Sequence, residues 1–187
     1  MTRKRLRPAW DPGELARIYA TPHQHTHWQD HRLRVGVTAE IGRWLAVEGE
    51  VRRTADLSCG DGAVLSTIPA EERVFGDLAP GYEVTGPIEE TLSTLKPVDL
   101  LVCCETLEHL DDPDSVLAAA RARTRFLLLS TPVDAWGDTN LEHYWAWSRA
   151  DVEEMLRAAG FTPMVYAPVD FTANGKGFYQ FGIWGCR

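Results

Sequence analysis

No run of about 18 apolar residues occurs anywhere in this 187-residue sequence, which excludes a helix long enough to cross a membrane. Cysteine is scarce: Cys59, Cys103, Cys104 and Cys186 are the four present. Adjacent Cys103 and Cys104 sit in an apolar run, an arrangement that suits reduced, buried thiols better than a disulfide framework. Basic residues are too few to balance the acids: 19 Lys and Arg against 27 Asp and Glu, for a formal net charge of −8. A broad basic face that could neutralise phosphates is therefore missing, which argues against a nucleic-acid partner. The basic start, Met1-Thr2-Arg3-Lys4-Arg5-Leu6-Arg7, has no apolar stretch behind it, so no secretory signal is expected and the compartment reads as cytoplasmic. This cluster reads as a solvated tail. Internal repeats and low-complexity segments are also absent, and the length fits one domain with a real core.

What is present is an alternation of strands and helices. Residues 14–20 can form a short helix, and a helical pattern runs to about Val47, with Val37, Ile41, Trp44 and Leu45 on one face. Beyond Gly49 come short apolar strands at 54–58, 73–77, 98–104 and 126–130. A short helix is expected at 61–68. Asp112 can cap a helix with Pro113 at its first position, and Val116, Leu117 and Ala120 form its buried stripe. Ser148 to Asp151 resembles a capping box opening another helix, which Gly160 ends. Two last strands, 164–171 and 178–184, join through Asn174-Gly175, a hairpin signal. The expected fold is α/β: a mostly parallel sheet, helices on both faces, and a C-terminal antiparallel hairpin.

In such sheets ligands bind at the carboxyl ends of the strands, near the point where the strand order reverses. Asp56-Leu57-Ser58-Cys59-Gly60-Asp61-Gly62 ends the first strand of the sheet. Gly60 and Gly62 let a ligand approach the backbone closely. Asp77 ends the next strand, where an acid can accept both hydroxyls of a ribose. The dinucleotide fingerprint fails, because its third glycine would fall at Leu65. Asp56 would also repel a pyrophosphate, whereas it suits a ligand with an ammonium group and a cationic sulfur.

These residues resemble the class I, seven-stranded, Rossmann-like S-adenosylmethionine-dependent methyltransferases, and among them the ubiquinone-biosynthesis-like small-molecule subgroup. Asp56 to Gly62 looks like the first motif of that family. Gly76-Asp77 looks like its ribose-binding acid, with Leu78 beside it. Gly86-Pro87-Ile88-Glu89-Glu90 stands where its adenine-contacting turn lies. Cys104-Glu105-Thr106-Leu107-Glu108-His109-Leu110 looks like its fourth motif. Ser130-Thr131-Pro132 and Glu142-His143 also match the subgroup. The resemblance covers residues 31–187 as a methyltransferase domain, with residues 1–30 as a tail and lid. It implies S-adenosyl-L-methionine as cofactor, held by Arg34, Asp56, Ser58, Cys59, Gly60, Gly62, Asp77, Leu78, Ile88, Glu89, Cys104 and Glu105. Arg34 either pairs with the cofactor carboxylate or is a surface helix arginine.

Three departures from the family pattern stand out. Ser58 replaces the usual first glycine and narrows the pocket floor. Pro87 stands where an adenine-binding acid is common, which leaves that work to Glu89 or the backbone. Val84 follows Asp77 by only seven positions, too few for a crossover that normally needs about 10–12 residues or more. The helix between the second and third strands is therefore expected to be missing. That leaves a sheet face for the N-terminal segment or a second subunit of a homodimer to cover.

The expected reaction is transfer of a methyl group to an oxygen or nitrogen of a small-molecule acceptor, with His109 and His143 as candidate bases and Glu108 orienting either. Each histidine could instead hold its own loop. His23, His25, His27 and His31 have spacing that could seat zinc. No cysteine or firmly placed carboxylate completes such a site, so no metal is assigned, and a lid with Tyr19 and Trp28 as apolar plugs is expected. The rival functions are a nucleic-acid methyltransferase, a non-catalytic S-adenosylmethionine-binding protein, and a lyase or cyclase relative.

Overall fold

The structure, a computed structural model, describes residues 2–20, 29–173, 175 and 177–187. His23, His25, His27, Trp28 and Asn174 lie outside the described residues. Among those described, no helix is long and apolar enough to cross a membrane.

Seven strands form the main sheet: β2 (Arg53–Asp56), β3 (Glu72–Asp77), β4 (Val84–Thr85), β5 (Val98–Cys104), β6 (Thr124–Val133), β8 (Pro163–Asp170) and β9 (Gln180–Cys186). Their order is β4-β3-β2-β5-β6-β9-β8. Pairs from β4 to β6 are parallel, and β9 runs antiparallel to both β6 and β8. The C-terminal antiparallel hairpin is present as expected, with its second strand β9 inside the sheet between β6 and β8. A separate pair of short strands, β1 (Lys4–Arg5) and β7 (Trp145–Ala146), is antiparallel.

Alternation along β5 shows how the sequence builds two layers. Leu101 and Cys103 face one core, Leu100 and Val102 the other, as the period of two requires. The first core is closed by α3 (Ile88–Thr94), α4 (Pro113–Arg121) and α5 (Arg149–Ala158) through Ile88, Leu92, Val116, Leu117, Val152 and Met155. The second is closed by α2 (Gln29–Glu48) through Leu45 and Ala46. The expected helix at 61–68 is reduced to a 3₁₀ turn at Leu65–Thr67, whose Leu65 and neighbouring Ile68 still reach the core. Asp112 caps α4 with Pro113 in its first turn, and Ser148 and Asp151 form a full capping box on α5. No helix lies between β3 and β4; residues 78–83 make only bends and turns.

The basic start is not a solvated tail. Thr2 bonds to Asp151, Arg3 pairs with Asp114 at 2.5 Å and Arg5 with Asp111. Both guanidiniums lie over the Trp145 ring. Asp11 then caps α1 (Pro12–Ile18).

Candidate functional site

The chain leaves β2 for β3 and β4 on one side and returns to β5 on the other, so the strand order reverses between β2 and β5. The two segments that leave these strands, 57–62 and 105–110, face each other there. A cleft of about 1540 Å³ opens at this point.

At one end of the cleft the polar groups are fixed by the backbone. Asp56 is buried, and its Oδ1 accepts from the Ser58 N–H at 3.0 Å. Burial raises the Asp56 carboxyl; the Ser58 N–H opposes the rise, the nearby Asp77 charge adds to it, and the pKa reaches about 7. The Ser58 hydroxyl lies 2.7 Å from that of Thr106, tying the two segments together. Gly60 has φ +54°, and nothing lies within 4 Å of where a side chain would start. Its N–H donates to Asp77 Oδ2 at 2.8 Å, and its carbonyl accepts from Tyr82. Asp77 Oδ1 accepts from the Ala79 N–H at 2.9 Å, so this carboxylate is held at the cleft wall.

Leu78, Ile88, Glu89, Cys59, Cys104 and Glu105 also line the cleft. Gly62 does not. Its φ is +70°, and an added Cβ would stand 3.0 Å from the Phe75 ring, so glycine serves the turn there. Burial pushes the Cys59 and Cys104 thiols up to about 12, which keeps them protonated and unreactive near neutral pH.

Arg34 is buried in the cleft wall, not on the helix surface. Its Nη2 lies 3.1 Å from His31 Nδ1, its Nη1 3.7 Å from Glu105 Oε1, and its guanidinium over Phe181. Glu105 in turn accepts from the Ser130 hydroxyl and holds φ +54°, an uncommon backbone state for a residue with a side chain. Arg34 is the one Lys or Arg among the described residues of the lining, against eleven Asp and Glu.

At the other end stand Glu108, His109 and His143. The imidazoles of His109 and His143 meet edge to face, with centroids 4.8 Å apart. His143 Nδ1 lies 2.6 Å from Asp138 Oδ2. Asp138 Oδ1 accepts from the Tyr179 hydroxyl at 3.0 Å and from the Asn140 N–H at 2.8 Å. Burial works against charge on His143, but the Asp138 hydrogen bond and the Glu108 and Asp138 charges outweigh it and raise its pKa. Glu108 is 1% exposed, and its Oε2 accepts from the Thr131 hydroxyl at 3.0 Å. Burial, then the Glu105 charge, pushes it up to about 8, with His143 pulling the other way.

Sequence reasoning missed Asp138, Tyr179 and Trp136. No motif marks them: Asp138 and Trp136 sit in a loop, and Tyr179 comes from the far hairpin. Tyr19 of the N-terminal segment also lines the cleft and donates to Glu142 Oε2 at 2.9 Å.

A family model described as a methyltransferase domain matches residues 26–165. No curated protein matches the chain in sequence. Among solved structures, the N-methyltransferase NodS from Bradyrhizobium japonicum WM9, in complex with S-adenosyl-L-homocysteine, is similar with a TM-score of 0.70 at 15% identity, covering 94% of this chain and 96% of that one. The 1,6-didemethyltoxoflavin-N1-methyltransferase from Burkholderia thailandensis, with its substrate and S-adenosylhomocysteine bound, gives 0.63 at 19% identity, covering 97% and 92%. The small RNA methyltransferase HEN1 gives 0.63 at 17% identity, covering 88% of this chain and 26% of that one. At such identities the likeness is one of fold.

Proposed function

Because the chain belongs to the methyltransferase-domain family, whose model matches most of it at residues 26–165, we propose that it moves a methyl group from S-adenosyl-L-methionine to an oxygen or nitrogen of a small-molecule acceptor. One observation carries this reading: a single cleft joins the Gly60 turn and Asp77 to the His109–His143 pair.

The residues at the first end fit the cofactor. The open space over Gly60 is a cradle that any side chain would begin to fill. Asp56 is a buried acid whose charged form needs a cation beside it. In this reading Asp56 would hold the ammonium, Arg34 the carboxylate through its planar guanidinium, and Asp77 the ribose hydroxyls. Leu78, Ile88 and Glu89 flank the adenine. S-adenosylmethionine supplies the methyl group on a cationic sulfur, so the leaving group needs no proton from the protein. The work left to the chain is to align the acceptor and to ease loss of its proton, which is proximity and acid–base catalysis. We assign that activation to Glu108, His109 and His143, with Asp138 fixing the His143 ring.

The lining also bears on the acceptor. Among the described residues of the lining, eleven acids against one arginine would repel a polyphosphate backbone, which favours a small neutral or cationic acceptor over a nucleic acid. Leu15, Ala16 and Tyr19 of the N-terminal segment stand in the cleft wall, in keeping with a lid. Four free cysteines suit a reducing cytoplasm.

Calorimetry of the full chain with S-adenosylmethionine and S-adenosylhomocysteine tests the proposal. One-to-one binding is expected, lost in Asp77→Ala, followed by release of S-adenosylhomocysteine in a metabolite screen. Absence of binding to either ligand overturns it. Binding with no release from any acceptor favours a non-catalytic cofactor-binding protein.

A further inference from the structure

We propose that Glu108, His109 and His143 form a binding site for one divalent transition-metal cation at the acceptor end of the cleft. The three side chains each offer a ligand atom, and these atoms lie within 4.8 Å of one another. Metal bonds of about 2.0–2.2 Å place neighbouring ligand atoms roughly 3–3.5 Å apart. Closing the cluster around a cation thus takes an inward shift of roughly an ångström.

Two further observations point the same way. Glu108 is 1% exposed, and its Oε1 has no hydrogen-bond partner among the described residues, while Oε2 is occupied by Thr131. A buried carboxylate oxygen without a partner is costly. It faces the imidazole of His109, with Oε1 4.0 Å from Nε2, so a cation between them would satisfy it. The second observation is the carboxylate behind His143. Asp138 takes the Nδ1 side of the ring, which leaves Nε2 as the ligand atom. Metal-binding histidines are commonly fixed through their other nitrogen in this way. Asp138 is itself held by Tyr179 and Asn140, so the ring orientation is set in advance.

Two imidazoles and one carboxylate suit a borderline cation such as zinc, manganese or cobalt, whereas magnesium prefers oxygen ligands throughout. Three protein ligands leave positions open for water and an acceptor oxygen. A hydroxyl on such a cation gives up its proton to water near neutral pH, leaving an oxygen lone pair to form the new bond to carbon as the sulfur–carbon bond breaks. The substrate class narrows accordingly to acceptors that present a hydroxyl. This role rests on the methyltransferase reading, but the cation site itself does not.

The test uses the full chain, stripped by a chelator and desalted. It is titrated with cobalt(II) by visible absorption, and with zinc(II), manganese(II) and magnesium(II) by calorimetry. One equivalent of cobalt is expected to bind, with magnesium much weaker. His109→Ala and Glu108→Gln should each lower cobalt affinity about tenfold or more, and Asp138→Asn, which keeps all three ligands, about 10–100-fold. Asp77→Ala, at the far end, should change it less than about twofold. Unfolding midpoints identify which variants are folded, and Asp138→Asn serves if a ligand variant is not. No saturable binding of cobalt, zinc or manganese overturns the inference, as does wild-type cobalt affinity in the folded variants. A parallel titration with S-adenosylhomocysteine separates the two ideas. A chain that binds it but no metal overturns the cation site alone; one that binds metal but not S-adenosylhomocysteine keeps the site and removes the methyltransferase reading.

Discussion

Asp151 and Thr2 meet across 149 positions of sequence: the Thr2 backbone nitrogen lies 2.5 Å from Asp151 Oδ1, and its hydroxyl 2.8 Å from Oδ2. The same carboxylate closes the capping box of α5 through Ser148. Asp151→Ala removes both, and should destabilise the fold by about 1–2 kcal/mol, lowering Tm by about 2–8 °C. Burial disfavours the charge on Asp151, but the Ser148 and Thr2 hydrogen bonds win and hold the group below the usual carboxylate range. Its contribution is therefore complete above that range and lost as pH falls through the lowered pKa. Thermal melts at falling pH should show wild type and Asp151→Ala converging in acid.

Gly60 and Gly62 look equivalent in sequence and should behave differently. Both hold positive φ, so alanine at either costs about 1–2 kcal/mol. Gly62→Ala also presses on Phe75, and should be the less stable of the two in urea while S-adenosylhomocysteine binding is kept. Gly60→Ala puts its methyl into the cleft and should weaken that binding. Equal binding in both variants would remove Gly60 from the cofactor cradle.

Asp56 makes cofactor affinity depend on pH. With its carboxyl at about 7, the free protein carries a proton there below neutrality, and that proton must leave when an ammonium binds. Calorimetry should find affinity rising with pH up to about 7 and then levelling. Stability of the free protein follows the opposite course. The folded state binds the proton that the unfolded chain has released, so stability falls between the usual carboxylate range and about pH 7. Asp56→Asn should flatten both profiles.

Arg34 is braced by His31, Glu105 and Phe181. Arg34→Ala should weaken S-adenosylmethionine binding by about tenfold or more, as loss of a charge-assisted bidentate pair implies. Arg34→Lys should restore only part, because an ammonium lacks the planar fork. Full recovery with lysine would mean that charge alone matters.

The parts of the fold legible in the sequence are those written locally. Periodicity marks α2, β5 and β6, and cap residues mark α4 and α5. The spacing from Asp77 to Val84 announces the missing helix. The glycine turn and the Cys104 to Leu110 segment are contiguous, so their place at the cleft was readable. The N-terminal anchor was not, because the partners of Arg3 and Arg5 lie more than 100 positions away, where no local pattern links them. The Asp138–His143 pair escaped for a related reason. Only the fold of a loop brings the carboxylate onto the ring, and Tyr179 reaches both from its place just before β9. The 61–68 helix was overread: its apolar residues satisfy the core from a single tight turn.

The short path between β3 and β4 also bears on how the sheet is guarded at its edges. It leaves that margin of the sheet with a strand of two residues, Val84 and Thr85, too few to template the backbone of a second molecule. The opposite margin, β8, carries Pro163 and Pro168, neither of which has an N–H to donate. Prolines and very short edge strands are common guards against runaway sheet growth. Both flanks of this sheet are poor seeds for fibrils, so crowding in the cell should not drive it to aggregate through its edges.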